Sequence, residues 1–79
     1  MDKTQIYDQL KTIFQNIFDE ESIELTPELS AKDVKGWDSI AQIRLILLIE
    51  KTFNFEFATT ELARAANVGD LVAVIEARI

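Results

Sequence analysis

Gly36, Gly69 and Pro27 are the only glycines and the only proline in 79 residues. Tight hairpin turns lean on those two residue types. A chain with so few of them has nowhere to make successive hairpins, and helices joined by longer polar connections become the first expectation. At this length one domain, residues 1–79, is expected, and it buries only about 60% of the surface of its unfolded chain. With 48% of residues hydrophobic, there is material for one core.

Apolar periodicity supports the helical reading. Ile6, Leu10, Ile13, Phe14, Ile17 and Phe18 form one stripe and predict a helix from about Lys3 to Phe18, with Asp2 as its cap and Gln5 as the reciprocal partner. The stretch from Asp19 to Trp37 has no sustained period and reads as a long connection. Its first part holds Asp19, Glu20, Glu21, Glu24 and Glu28, while Ile23, Leu25, Leu29 and Val34 tack it onto the helical body. A second helix spans Ser39 to about Phe53, with Ser39 and Gln42 in a capping-box spacing. Phe53-Asn54-Phe55-Glu56-Phe57 alternates like a strand, but the chain offers no partner strand. It reads as an extended connector with its phenylalanines turned inward. A short helix from about Thr60 to Ala65, capped by Thr59 or Thr60, precedes a last helix capped by Asn67, with Leu71, Ile75 and Ile79 as its buried stripe. The expected fold is all-α, with three main helices, one short one and a long first loop.

Composition removes most chemistries. With no cysteine and no histidine, thiol catalysis, disulfides and the usual general base are absent. Eight basic against 14 acidic residues give a net charge of −6, the wrong sign for a nucleic-acid binder or for an anionic membrane surface. No apolar run is long enough to span a bilayer, and the first residues lack a secretory pattern. The expectation is a cytoplasmic monomer that meets other proteins and is not an enzyme. A serine–lysine pair at Ser39 with Lys32 or Lys35 has nothing to fix it. A calcium loop beginning at Asp19 would place Ile23 where an oxygen ligand belongs and Glu24 where glycine belongs. That segment reads as a solvated acidic loop.

The segment Gly36-Trp37-Asp38-Ser39-Ile40 stands apart. A serine before an apolar helix is most often a cap, yet this one ends a long acidic loop and opens the central helix. Asp38-Ser39-Ile40 resembles the Asp-Ser-Leu motif of the acyl carrier protein family, with isoleucine in place of leucine. The surrounding layout is similar across the whole chain: an N-terminal helix, a long loop, a serine opening helix two, Glu50 and Phe53 at its end, a short third helix, and Val68-Gly69-Asp70-Leu71 starting the fourth.

The resemblance implies a four-helix bundle of acyl-carrier type. In that family a phosphopantetheinyl transferase attaches 4′-phosphopantetheine to the serine, so Ser39 is the implied attachment site. The other implied partners are an acyl-activating ligase or acyltransferase and downstream synthase enzymes, touching Trp37, Asp38, Ile40, Ile43, Arg44 and Leu47. For several of these a plainer reading stands beside the functional one. Trp37 is either buried at the helix-one/helix-two edge or a partner anchor, and Asp38 either positions the loop or meets a basic transferase residue, or is a second helix cap. At least one of Ile43 and Leu47 is expected in the core. Leu45, Ile46, Leu48 and Ile49 either line a pocket for an acyl chain or fill it.

The variant Trp-Asp-Ser, and a second helix whose early surface positions are Ala41, Gln42 and Arg44 rather than acids, is more similar to stand-alone carriers of specialised pathways. A basic enzyme patch tuned to an acidic helix gains little here. An aminoacyl or peptidyl carrier, and a helical adaptor with no prosthetic group, are the alternatives.

Overall fold

The computed structural model describes residues 2–19 and 23–79, so the Glu20 and Glu21 part of the acidic loop lies outside the described residues. The described residues form four helices and no strand: α1 (Lys3–Phe18), α2 (Ser39–Phe53), α3 (Thr59–Arg64) and α4 (Val68–Arg78). No described helix is long and apolar enough to cross a membrane.

The caps decide where each helix begins. At α1 the Gln5 N–H donates to Asp2 Oδ1 at 2.9 Å, and the Asp2 N–H donates back to Gln5 Oε1 at 3.0 Å, the expected reciprocal box. Ile6, Leu10, Ile13 and Phe14 then face the core, where α1 packs on α2 and α4. Each fully buried side chain of this size stabilises by about 1.5–3 kcal/mol relative to exposure. From α2 come Ala41, Leu45, Ile46, Ile49 and Phe53. Leu45 and Ile49 are fully buried in this core.

Asn54, in the left-handed conformation at φ 59°, closes α2, and the Phe55 N–H reaches back to the Glu50 carbonyl at 3.2 Å. The connector that follows is extended, as its alternation suggests, but no ladder holds it. The Glu50 carboxylate accepts the Phe57 N–H at 2.8 Å, which turns Phe57 into the core and leaves Phe55 half-buried beside it at 4.9 Å.

Helix α3 runs one residue earlier than expected, with Ala58 before it and Thr59 already helical. Neither threonine caps it; the Glu61 carboxylate reaches back to accept the Ala58 N–H at 2.8 Å. No α3 residue is fully buried, so the helix depends on Leu62 packing and on the Glu61–Arg78 ion pair at 2.7 Å. The Ala58 N–H, with Arg78 beside it, lowers the Glu61 pKa below its ordinary 4.5. A lowered carboxylate pKa gives stability that is present above about pH 4.5 and lost as pH falls through the folded-state value. Glu61→Gln is therefore expected to lower the urea midpoint at pH 7, with the difference from wild type closing below pH 4.5; a difference constant with pH would contradict this.

At α4, Asn67 Oδ1 accepts the Asp70 N–H at 2.9 Å and Asp70 accepts the Ala66 N–H at 2.8 Å. The orphan donors Val68 N–H and Gly69 N–H pair with the carbonyls of Leu29 and Pro27, both at 2.9 Å. The long loop is thus hydrogen-bonded to the start of α4, while Ile23 is buried and Leu25, Leu29 and Val34 are partly buried against the core. A Cβ on Gly69 would stand 3.1 Å from the Pro27 carbonyl oxygen, which backbone pairing holds in place. Gly69→Ala is expected to lose about 1 kcal/mol net, overpacking outweighing the better helix propensity. Urea unfolding checks this, and an unchanged or higher midpoint would contradict it.

The buried side of α4 is Val68, Leu71, Val72 and Ile75. Ile79, expected in that stripe, is 48% exposed. The helix ends at Arg78, whose guanidinium is drawn to Glu61 and lies 5.9 Å from the Phe55 ring centroid, so the last residue falls beyond the packed face.

Candidate functional site

The approach to α2 is a sharp bend. Gly36 sits at φ 90°, a conformation that side-chain-bearing residues rarely adopt, and the Asp38 N–H donates to the Gly36 carbonyl at 2.9 Å. The bend drops Trp37 onto α1. Its ring meets Phe14 edge-on at 5.3 Å and Phe18 at 5.9 Å, and its indole N–H donates to Gln42 Oε1 at 2.6 Å. Trp37 is half-buried, so the burial expected at the helix-one/helix-two edge is found, with one side still bordering the groove described below.

The expected capping box is corrected here. Asp38, not Ser39, is the cap: its carboxylate accepts the Ala41 N–H at 2.9 Å, and its carbonyl accepts the Gln42 N–H at 2.9 Å. Gln42 does not reach back to the cap because Trp37 occupies its oxygen. Ser39 is thereby released from a structural task. It is the first helical residue, it is exposed, and its hydroxyl makes no hydrogen bond to any described residue, Lys32 and Lys35 included. Ser30, by contrast, has its hydroxyl 3.3 Å from Asp33 Oδ2 in a turn.

What surrounds the Ser39 hydroxyl suits an anion. The first N–H groups of a helix have no intrahelical partner and carry the positive end of the dipole. With Ala41 and Gln42 already paired to Asp38, the Ser39 and Ile40 N–H groups remain. An open groove of about 520 Å³ runs beside Ser39, between α2 and the α3–α4 turn, with Ile43, Ala65, Ala66 and Leu71 among its walls. These features fit a phosphodiester on Ser39 with a flexible chain beyond it.

On α2, Ile40, Ile43 and Leu47 are 66%, 61% and 60% exposed. The expectation that Ile43 or Leu47 enters the core is overturned. Their spacing puts them on one stripe facing away from Leu45 and Ile49, and the core is already closed by α1 and α4. Arg44 is exposed next to that stripe. Glu50, the one acid in α2, is engaged with the connector. Two features escape a sequence reading: the Trp37–Gln42 bond, and the small-residue wall Ala65-Ala66. Five-residue spacing is not a helical signal, and alanines carry no motif.

Comparisons with known proteins identify the family. A family profile described as the phosphopantetheine attachment site matches residues 8–75. An acyl carrier protein of Coprothermobacter proteolyticus is 30% identical over 79 residues, spanning all of this chain and 96% of its own. One from Helicobacter pylori is 27% identical over 71 residues, covering 90% of this chain and 91% of that one. The solution NMR structure of a holo acyl carrier protein from Geobacter metallireducens superposes with a TM-score of 0.85 at 41% identity, over 90% of this chain and 82% of that one.

Proposed function

This chain belongs to the acyl carrier protein family, and on that premise we propose that Ser39 is the residue that carries its covalent 4′-phosphopantetheine. The observation behind this is the division of labour at α2: Asp38 caps the helix, which leaves the Ser39 hydroxyl exposed and unbonded at a positive helix end. When bound, the group supplies a terminal thiol on which an acyl chain is held as a thioester.

Loading needs a second protein. The Ser39 oxygen forms a new P–O bond to the pantetheine-bearing phosphorus of coenzyme A. The pyrophosphate P–O bond breaks, adenosine 3′,5′-bisphosphate leaves, and the hydroxyl proton passes to a base. The chain has no histidine, and one oxygen of the Asp38 carboxylate already accepts the Ala41 N–H, which supports a base supplied by the transferase.

Any enzyme that reaches Ser39 lies over Ile40 and Ile43, one turn on, and Leu47 is about 12 Å along the same helix. The proposed contact surface is Ile40, Ile43, Arg44 and Leu47, with Asp38 at its rim and Trp37 as its floor. The transferase is its first occupant; an acyl-activating ligase or acyltransferase and the downstream synthases follow. Arg44 in the open and Glu50 withdrawn support a dedicated, specialised-pathway partner set rather than a general fatty-acid synthase. Incubating the pure protein with coenzyme A and a broad-specificity transferase is expected to raise its intact mass by one arm. An unchanged mass would contradict the reading.

A further inference from the structure

Gln42 stands one turn beyond Ser39, and the cap does not use its side chain. Its environment fixes which way its amide faces. An indole N–H only donates, so the atom 2.6 Å from Trp37 Nε1 is the amide oxygen. Trp37 is itself held by Phe14 and Phe18, so the acceptor is pinned from the α1 side. The two N–H donors of the same amide find no partner among the described residues. Gln42 is half-buried and borders the same groove as Ser39.

That groove has an electrostatic shortfall. A phosphodiester on Ser39 would sit next to the Asp38 carboxylate, which is negative and faces the first turn of α2. Free backbone donors of Ser39 and Ile40 offset part of this repulsion, and a further fixed donor adds a charge-assisted hydrogen bond. We propose that Gln42 is a positioning residue for the arm, its side-chain NH2 donating to a phosphodiester oxygen on Ser39 while Trp37 holds its carbonyl. The bond orients the first part of the arm along the groove between α2 and the α3–α4 turn. This rests on the assignment of Ser39 as the attachment site.

The test is NMR of the intact ¹⁵N-labelled protein before and after loading from coenzyme A, with intact mass recorded on the same samples. Loading is expected to shift the Gln42 side-chain NH2 resonances downfield and slow their exchange with water by about tenfold, as a hydrogen bond to a charged group implies. The Trp37 indole N–H, bonded in both states, stays in place. In loaded Gln42→Leu the ³¹P resonance of the phosphodiester is expected to move. A purely structural Gln42 would show side-chain NH2 resonances unaffected by loading, with ³¹P in loaded Gln42→Leu at its wild-type position; that result overturns the proposal while the mass gain upholds Ser39. Absence of any mass gain overturns both.

Discussion

Phe14→Ala is expected to remove a large part of the protein's stability at 25 °C. Phe14 is fully buried, touches Phe18 at 5.6 Å and supports Trp37 edge-on. Truncating a buried phenylalanine costs about 3–5 kcal/mol. A domain of this size has roughly 4–12 kcal/mol in total at about 0.05–0.15 kcal/mol per residue. The loss therefore takes about a quarter of the whole at the least, and the urea midpoint should fall by at least that share. Trp37 fluorescence should shift to the red even in the fraction that stays folded, because the ring loses the Phe14 side of its α1 wall and keeps only Phe18. Phe14→Leu, which keeps most of the volume, should lose no more than about 1.5 kcal/mol. A cost below about 1 kcal/mol for the alanine variant would show that the packing around Trp37 is looser than described.

Ser39→Ala should give the opposite pattern. Stability is expected to stay within about 0.5 kcal/mol of wild type, the range of surface substitutions away from caps and networks, because the hydroxyl makes no hydrogen bond and Asp38 does the capping. Loading from coenzyme A is expected to fall from complete to none. Urea unfolding and intact mass read the two effects on one sample. A marked loss of stability would restore Ser39 to a capping role, and labelling that persists would move the attachment elsewhere.

The contrast between these residues shows how far local sequence carries. The α1 stripe and the Asp2–Gln5 box are legible because every contact that defines them lies within four residues. The same logic misplaces the α2 cap. Serine and aspartate cap about equally well, and Gln42 has the spacing to serve Ser39. What decides between them is Trp37, held by α1 and taking the Gln42 oxygen, a tertiary fact. Ile43 and Leu47 fail for a related reason. A helix apolar nearly all round has no distinctive face, and only the positions of α1 and α4 determine which residues of α2 are covered. The role of the Glu50 carboxylate, which accepts the Phe57 N–H, has no local signal, because the two residues lie seven positions apart. The Asp38-Ser39-Ile40 segment is what draws attention to the proposed site; the groove beside it has no sequence signal, because Ala65 and Ala66 carry no chemistry of their own.

The most direct test of the account is to locate the arm after loading. The chain has three serines, Ser22, Ser30 and Ser39. Proteolysis of the loaded wild-type protein followed by fragment mass spectrometry should place the added 4′-phosphopantetheine on Ser39 alone. Finding it on Ser22 or Ser30, or spread among the three, would contradict the claim that the exposed hydroxyl at the start of α2 is what makes this chain a carrier.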